Sequence, residues 1–344
     1  MDGKLKEFLE DISCSTKLPE HDYLFTLADA AATTLETEVN SWRPANSLGG
    51  LGGLLDFSKE EKLPLIIVPD LHARSYFLRN ILNFLLPEDF CFSENDGIKE
   101  RKTVYQAVAE NLVRIVFVGD LLHSELRCRL RWYEALKEFS RGDFKGRAMT
   151  EEMVEGLTLL SMIMELKTAF PSNVHILKGN HENIMNERSP GNYPFRKFAN
   201  EGEMVRLFME EVYGDDILMV LSCFEKSLPL AALFPECIVS HAEPVRAFEK
   251  QEIIDGIASD EVILGLTWTE NNASREGCVK QMLSDFTHRA DSLYFGGHRP
   301  IQGTYALRQD GKYVQLHNPD RQNITLIYKD KSIDLEHNIV QVGE

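Results

Sequence analysis

Five apolar runs punctuate the chain, and each ends on a short polar motif. They are LPLIIVP (63–69), LVRIVFV (112–118), VHILK (174–178), ECIV (236–239) and SLYFG (292–296). Runs like these read as buried strands of an α/β sheet. Helical patterns fill the spaces between them. Residues 74–86 predict a helix with Tyr76, Phe77, Ile81, Phe84 and Leu85 on one side. Two more helices are expected at about 125–140 and 150–170, and a further one near 201–213 after the turn-rich loop 189–195. The second of these holds Met162 and Met164, which are expected to pack rather than to ligate. Residues 1–42 read as helical, with Trp42 anchoring them to the body. The Gly-rich stretch from Asn46 to Leu55 predicts a turn or hinge, because its spacing does not fit a phosphate-binding G-x-x-x-x-G-K-[ST] loop. Beyond residue 303 the polarity alternates, and Asp310-Gly311 signals a hairpin in a second sheet. The expected fold is α/β: a two-layered mixed β-sheet sandwich flanked by helices. Its expected division is an N-terminal helical extension and hinge at 1–60 and a main domain at 61–344. Helical insertions interrupt the main domain at about 125–170 and 183–232.

Composition narrows the function classes. With 344 residues, the chain can bury a sizeable core. Its formal net charge of −17 argues against broad electrostatic binding of nucleic acid, which relies on Lys and Arg. A small phosphate-bearing substrate stays compatible, because bound metals supply local positive charge. The cysteines Cys14, Cys91, Cys128, Cys223, Cys237 and Cys278 form no C-x-x-C pair, so reduced thiols are expected. No apolar run reaches the roughly 18 residues of a membrane helix, and the start MDGKLKEFLEDI does not read as a signal peptide. A cytoplasmic location is the simplest expectation.

The chemistry lies in the motifs that close the five runs. They are Asp70-Leu71-His72, Gly119-Asp120-Leu121-Leu122-His123, Gly179-Asn180-His181-Glu182, Ser240-His241 and Gly297-His298. Ligands of open α/β sheets collect at the carboxyl ends of the strands, so the motifs converge on one edge. Two divalent metals about 3.5–4 Å apart clamp a phosphoryl group and activate a water for in-line attack. One carboxylate must bridge such a pair, and Asp120 is the natural bridge. Asp70 and His72 complete one metal site; Asn180, His241 and His298 complete the other. Imidazole with carboxylate suits manganese, iron or zinc better than calcium or magnesium, and Mn2+ is the expected ion. A lone His on an apolar strand is usually a satisfied core residue. It is the full set that changes this reading, because unpartnered polar groups at strand ends would be costly to bury.

These motifs resemble those of the calcineurin-like metallophosphoesterases, and most closely the serine/threonine protein phosphatase branch. That pattern runs Asp-x-His-Gly, Gly-Asp-x-x-Asp-Arg-Gly, Gly-Asn-His-Glu and two isolated histidines, and it is matched in order over roughly residues 63–330. The resemblance implies the metal roles above and makes 61–344 the catalytic domain. It also implies that His181 is the general acid on the leaving oxygen. Three departures stand out. Ala73 replaces the Gly of the first motif. His123 stands where the Asp that orients the catalytic histidine is usual, and it is expected to join His181 in catalysis. Ser124 and Glu125 stand where the phosphate-binding Arg and the following Gly are usual. The phosphate clamp must then come from elsewhere, and Arg74, Arg275 and Arg299 are the expected substrate-binding residues. Glu182 is expected to fix a loop. His175, His288, His317 and His337 have no motif around them and read as structural or exposed.

The expected activity is metal-dependent hydrolysis of phosphate monoesters, with a serine/threonine phosphoprotein as the family-level substrate. The expected partner is therefore a phosphoprotein or small phosphate ester, without membrane or nucleic acid. The alternatives are a dinucleoside polyphosphate hydrolase, a nuclease of the same superfamily, or a metal-binding scaffold with impaired catalysis.

Overall fold

The computed structural model describes residues 2–91, 100–189 and 191–343. Pro190, part of the expected turn-rich loop, lies outside them. In chain order the strands are β1 (Leu54–Asp56), β2 (Leu65–Val68), β3 (Arg114–Phe117), β4 (Val174–Ile176), β5 (Ala231–Leu233) and β6 (Cys237–Ser240). They continue with β7 (Leu293–Gly296), β8 (Ala306–Arg308), β9 (Tyr313–Gln315), β10 (Asn323–Ile327) and β11 (Ile339–Gln341). One sheet has the order β1-β5-β6-β7-β9-β8 and the other β11-β10-β2-β3-β4. In the second sheet β2, β3 and β4 run parallel. In the first, β6, β7 and β9 do so. Both are mixed sheets, in keeping with the expected α/β sandwich.

The strands alternate with a period of two, which decides what each face meets. Leu65, Ile67, Val116 and Val118 of one sheet join Val239, Phe295 and Val314 of the other in a common core. Ile66, Val68, Ile115 and Phe117 point the opposite way, into a large helical layer. Ile238, Tyr294 and Tyr313 face a smaller layer that contains the helices Asp260–Thr267 and Cys278–Thr287. The result is helix, sheet, sheet, helix, with the carboxyl ends of the parallel strands at an edge of each sheet.

Several helices differ from the periodicity reading. The helix of 75–83 buries Phe77, Leu78, Ile81 and Leu82. Tyr76 and Leu85 are 40% and 42% exposed, because the buried stripe is offset by one position and the helix ends before Leu85. The helix Arg147–Ala169 is buried almost all round and contains Met162 and Met164. It starts ahead of Thr150 because the Glu138 carboxylate accepts from the backbone N–H groups of Ala148 and Met149. That supplies the partner a helix N-terminus otherwise lacks. A further helix, Asp215–Lys226, follows Gly214 and adds to those the periodicity predicts. The expected Gly-rich hinge contains β1, which pairs in parallel with β5. The hairpin at Asp310-Gly311 forms between β8 and β9.

A buried charge cluster ties the N-terminal helices to the sheet. Glu38, just beyond the helix His21–Glu36, accepts from Arg43 Nη1 at 2.7 Å and from Lys167 Nζ. Lys167 also donates to the carbonyls of Pro171 and Val174, and Arg43 Nε to that of Gly52. Trp42 stacks on Phe57 at 5.5 Å, and His175 meets its edge at 5.1 Å. Burial alone would raise the Glu38 carboxyl, but His175, Lys167 and Arg43 together bring it down to about 2. Breaking a buried pair strands the remaining charges and costs about 3–5 kcal/mol. Glu38→Gln is therefore expected to lower unfolding free energy by about that much at pH 7. Because the folded group is depressed, its contribution is present above the ordinary carboxyl range and fades as pH falls towards 2. Urea denaturation at pH 7 and pH 3 should show the gap between wild type and variant shrinking in acid. A gap that is constant with pH would count against the assignment.

Candidate metal centre

The strand ends bring the motif residues together. Asp70 and His72 follow β2, Asp120 and His123 follow β3, and Asn180 and His181 follow β4. His241 follows β6 and His298 follows β7. All eight are buried. The backbone is bent to make this possible. His72, Ala73, Asp120, His123 and His298 all have positive φ, between 44° and 66°. Non-glycine residues seldom adopt this region, and such strain gathers at functional sites. It also explains the usual Gly at position 73: Ala73 has φ 58°. A Cβ on Gly297 would overlap the Asp70 carboxylate, and one on Gly179 would overlap that of Asp120.

Asp120 is the centre of the arrangement. Its Oδ1 accepts from the His181 N–H at 2.9 Å. Its Oδ2 has no hydrogen-bond partner, yet stands 3.6 Å from His72 Nε2, 3.6 Å from His181 Nε2 and 3.4 Å from His241 Nε2. His72 places Nδ1 3.0 Å from the His123 carbonyl, and His241 places Nδ1 3.0 Å from the Val118 carbonyl. Each of those nitrogens must donate, so both Nε2 atoms present lone pairs towards Asp120. Asn180 Oδ1 lies 3.0 Å from His241 Nε2 and 2.9 Å from His298 Nδ1. Asp70 Oδ2 and His298 Nε2 are likewise buried without partners. Acceptors facing acceptors in a dry site are costly unless a cation lies among them. The donor set of imidazole, carboxylate and amide oxygen fits a transition metal.

The charge states agree with this. Burial pushes His72 down to about 4 and His298 to about 3, and it lowers His241 as well. At neutral pH these rings are unprotonated, the form in which imidazole binds metal. Burial, with Glu182 and Asp70 nearby, raises Asp120 well above the ordinary carboxyl range. Asp70 is also buried, and its Oδ1 accepts from the His298 N–H at 3.0 Å. Glu182 accepts from the backbone N–H groups of Asp120, Leu121 and Gly179, at 3.0, 2.9 and 2.6 Å. It fixes the second and third motifs to one another, the loop-fixing role expected of it.

The arginines are distributed differently. Arg74 is buried, and its guanidinium donates to the carbonyls of Leu71, Asp70 and Pro319. These bonds support the first motif loop. Arg275 is exposed and makes no side-chain hydrogen bond or ion pair among the described residues. Arg299 pairs with Glu270, leaves Nε unpartnered, and is near enough to Asp120 and Glu125 to feel their charge. Ser124 is held by Glu152, with its N–H at 2.7 Å and its hydroxyl also donating. Two site residues lie outside the five motifs' ligand set: Glu125 and His317 stand beside His72 in a potential cation-binding group.

No protein-family description matches the chain, and no curated protein matches it. Solved structures do. A serine/threonine phosphatase from Saccharomyces cerevisiae, similar to human phosphatase PP5, superposes with a TM-score of 0.55 at 15% identity. The match covers 94% of this chain and 89% of that one. A cold-active protein-tyrosine phosphatase from Shewanella gives a TM-score of 0.45 at 11% identity, over 85% and 82% of the two chains. A putative diadenosine tetraphosphatase gives 0.38 at 14%, over 84% and 96%. The chain shares the fold of the yeast serine/threonine phosphatase. That shared fold is the one the motif resemblance implies.

His123 and His181 form a direct imidazole pair, Nδ1 to Nδ1, at 2.8 Å. One ring donates and the other accepts, so the contact needs only one proton. Burial, then the nearby His72, pushes His123 down to about 3. Burial and then His123 lower His181 well below the ordinary range. An Asp at 123 would favour cationic His181 instead, with a carboxylate partner shifting such a group by roughly 1–3 pH units. His123→Asp should therefore move the His181 titration to higher pH, read by NMR of its labelled imidazole. A midpoint unchanged from wild type would mean that the 123 side chain does not set the protonation of His181.

Proposed function

We propose that this chain is a metal-dependent phosphatase that hydrolyses phosphate monoesters, with a serine/threonine phosphoprotein as substrate. The observation that carries the reading is Asp120 Oδ2, unpartnered and ringed by three imidazole Nε2 atoms at 3.4–3.6 Å. Asp70, His72 and Asp120 would hold one divalent ion; Asp120, Asn180, His241 and His298 would hold the other. When bound, the pair supplies Lewis-acid charge for the phosphoryl oxygens and lowers the pKa of a nucleophilic water.

The chain's own residues do the rest. Glu182 keeps the Asp120 and Gly179 backbones in register, so the two half-sites keep their separation. His181 directs Nε2 towards Asp120 and away from His123, which occupies its Nδ1. Proton donation to the leaving oxygen then falls to His181 Nε2, and His123 sets that ring's orientation and proton inventory. Phe195 packs against the His181 ring at 3.8 Å and keeps water from one side of it. Arg299 is the cation that best replaces the missing phosphate clamp, since its Nε has no hydrogen-bond partner among the described residues.

The test is a substrate panel run with Mn2+: an aryl phosphate, phosphoserine and phosphotyrosine peptides, diadenosine tetraphosphate and single-stranded DNA. Turnover of the aryl phosphate and a phosphoserine peptide, abolished by Asp120→Asn, is expected. No turnover despite two bound metals would favour the scaffold alternative. His181→Asn should retain metal and slow a phosphopeptide by roughly 10²–10⁴-fold, while hurting a low-pKa aryl phosphate less. Equal losses on both substrates would assign the ring to charge stabilisation rather than proton transfer. Arg299→Ala should raise KM several-fold more than it lowers kcat; an unchanged KM removes it from phosphate binding.

A further inference from the structure

A sixth strand end reaches the same edge. β9 runs parallel to β7, and the residue two positions past its carboxyl end is His317. The ring is fully buried. Its Nε2 lies 2.8 Å from Glu125 Oε2. A carboxylate only accepts in its ionised form, so Nε2 carries the proton. Nδ1 then presents a lone pair. It has no hydrogen-bond partner and stands 3.5 Å from Asp70 Oδ2, which has none either. The second Glu125 oxygen, Oε1, is 3.6 Å from His72 Nε2 and 3.1 Å from Lys197 Nζ. The His72 and His317 rings are 5.2 Å apart.

Two lone-pair atoms opposed at this distance, both dry, are the signature of shared ligation rather than of a hydrogen bond. Ligands about 2.1 Å from one ion stand roughly 3–3.5 Å apart in octahedral or tetrahedral geometry. Glu125 completes the familiar outer arrangement, in which a carboxylate takes the far N–H of a metal-binding imidazole and fixes its tautomer. We propose that His317 is a further protein ligand of the ion held by Asp70, His72 and Asp120, and that Glu125 is its positioning residue. The inference rests on the metal-centre reading above. It goes further by giving the first site a second imidazole, which the five sequence motifs do not supply. A second nitrogen makes this half-site softer and favours a transition metal over Mg2+. The same change accounts for Glu125 standing where a Gly is usual: that position holds the side chain that aligns His317. A cleft of about 160 Å³ lined by His72, Arg74, Glu125 and Pro319 lies on the His72 and Glu125 side of the group.

The test is metal binding, with activity left aside. Metal-free wild type, His317→Ala, His317→Gln and Glu125→Gln are titrated with Mn2+ and Co2+ by calorimetry, and bound metal is counted by elemental analysis. Wild type is expected to bind two ions. Both His317 variants should weaken one of them at least tenfold and leave the other intact. Loss of the outer carboxylate typically costs 10–100-fold in metal affinity, so Glu125→Gln should weaken the same ion. The Co2+ absorption band of that site should shift in each variant. Thermal unfolding of the metal-free proteins identifies any variant that simply fails to fold; His317→Gln keeps a polar, shape-similar side chain for that case. Two ions bound with wild-type affinity by both folded His317 variants would overturn the proposal while leaving the metal centre standing. Three ions in wild type, one of them lost with His317, would also overturn it, by placing the ion beside the pair. No metal binding by wild type would instead refute the underlying reading.

Discussion

The position of one carboxylate constrains most of this molecule. Asp120 must lie where residues from two different sheets meet: Asp70, His72 and Asn180 come from one, His241 and His298 from the other. The sandwich core formed by residues such as Val116, Val118, Val239 and Phe295 therefore sets the ligand separation as well as stability. The local devices serve the same end. Asp120 takes φ 55°, Gly179 leaves room for its carboxylate, and Glu182 ties its N–H to that of Gly179. Such a site is unfavourable without cations, because burial and two nearby carboxylates raise Asp120 strongly. Strain and unpaired charge of this kind persist only where the surrounding structure over-determines them.

Much of the centre is legible in the sequence, for a physical reason. A polar motif directly after a continuous apolar run is the linear image of a ligand at the carboxyl end of a buried parallel strand. That holds for β2, β3, β4, β6 and β7, whose ends bring Asp70, Asp120, Asn180, His241 and His298 together. It also applies to β9, but the alternating sequence there reads as a hairpin, and His317 reads as a residue without a role. β9 does form a hairpin with β8; its other edge is parallel to β7, and this pairing brings His317 into the site. Nothing in the local sequence distinguishes the two edges of a strand. Glu125 is obscured similarly: its partner is 192 positions away, and only the tertiary fold joins them.

The helices show where periodicity runs out. Positions 75–83 carry a true amphipathic stripe, but the sequence pattern sets its phase one residue off, which exchanges buried Leu78 and Leu82 for exposed Tyr76. The start of the helix Arg147–Ala169 depends on Glu138 from the preceding helix, a capping contact that no local signature announces. Strand β1 is hidden because Gly52 and Gly53 look like a hinge. Both glycines are needed for close approach: a Cβ would strike the Pro44 carbonyl at one and the Ile253 carbonyl at the other.

The departures from the phosphatase pattern at 123–125 form one connected change. With Ser at 124, no guanidinium projects from that position. One is nonetheless present nearby: Arg131, from the next helix, has Nη2 3.3 Å from Ser124 Oγ. It is not free to bind phosphate, because Glu152 and Glu155 both pair with it. Trp132 Nε1 seals the arrangement by donating to the Ser124 carbonyl at 2.9 Å. This rim is therefore a neutralised structural joint where the pattern has a phosphate clamp. The adjacent Glu125 turns its carboxylate inward and adds negative charge beside His317 and His72. This rim therefore carries less free positive charge than the phosphatase pattern would give it. The imidazole at 123 points the same way. A carboxylate there would favour cationic His181, whereas a second neutral ring adds no charge of its own. The three departures, read together, remove free side-chain cations from this rim and place a buried carboxylate beside His72 and His317.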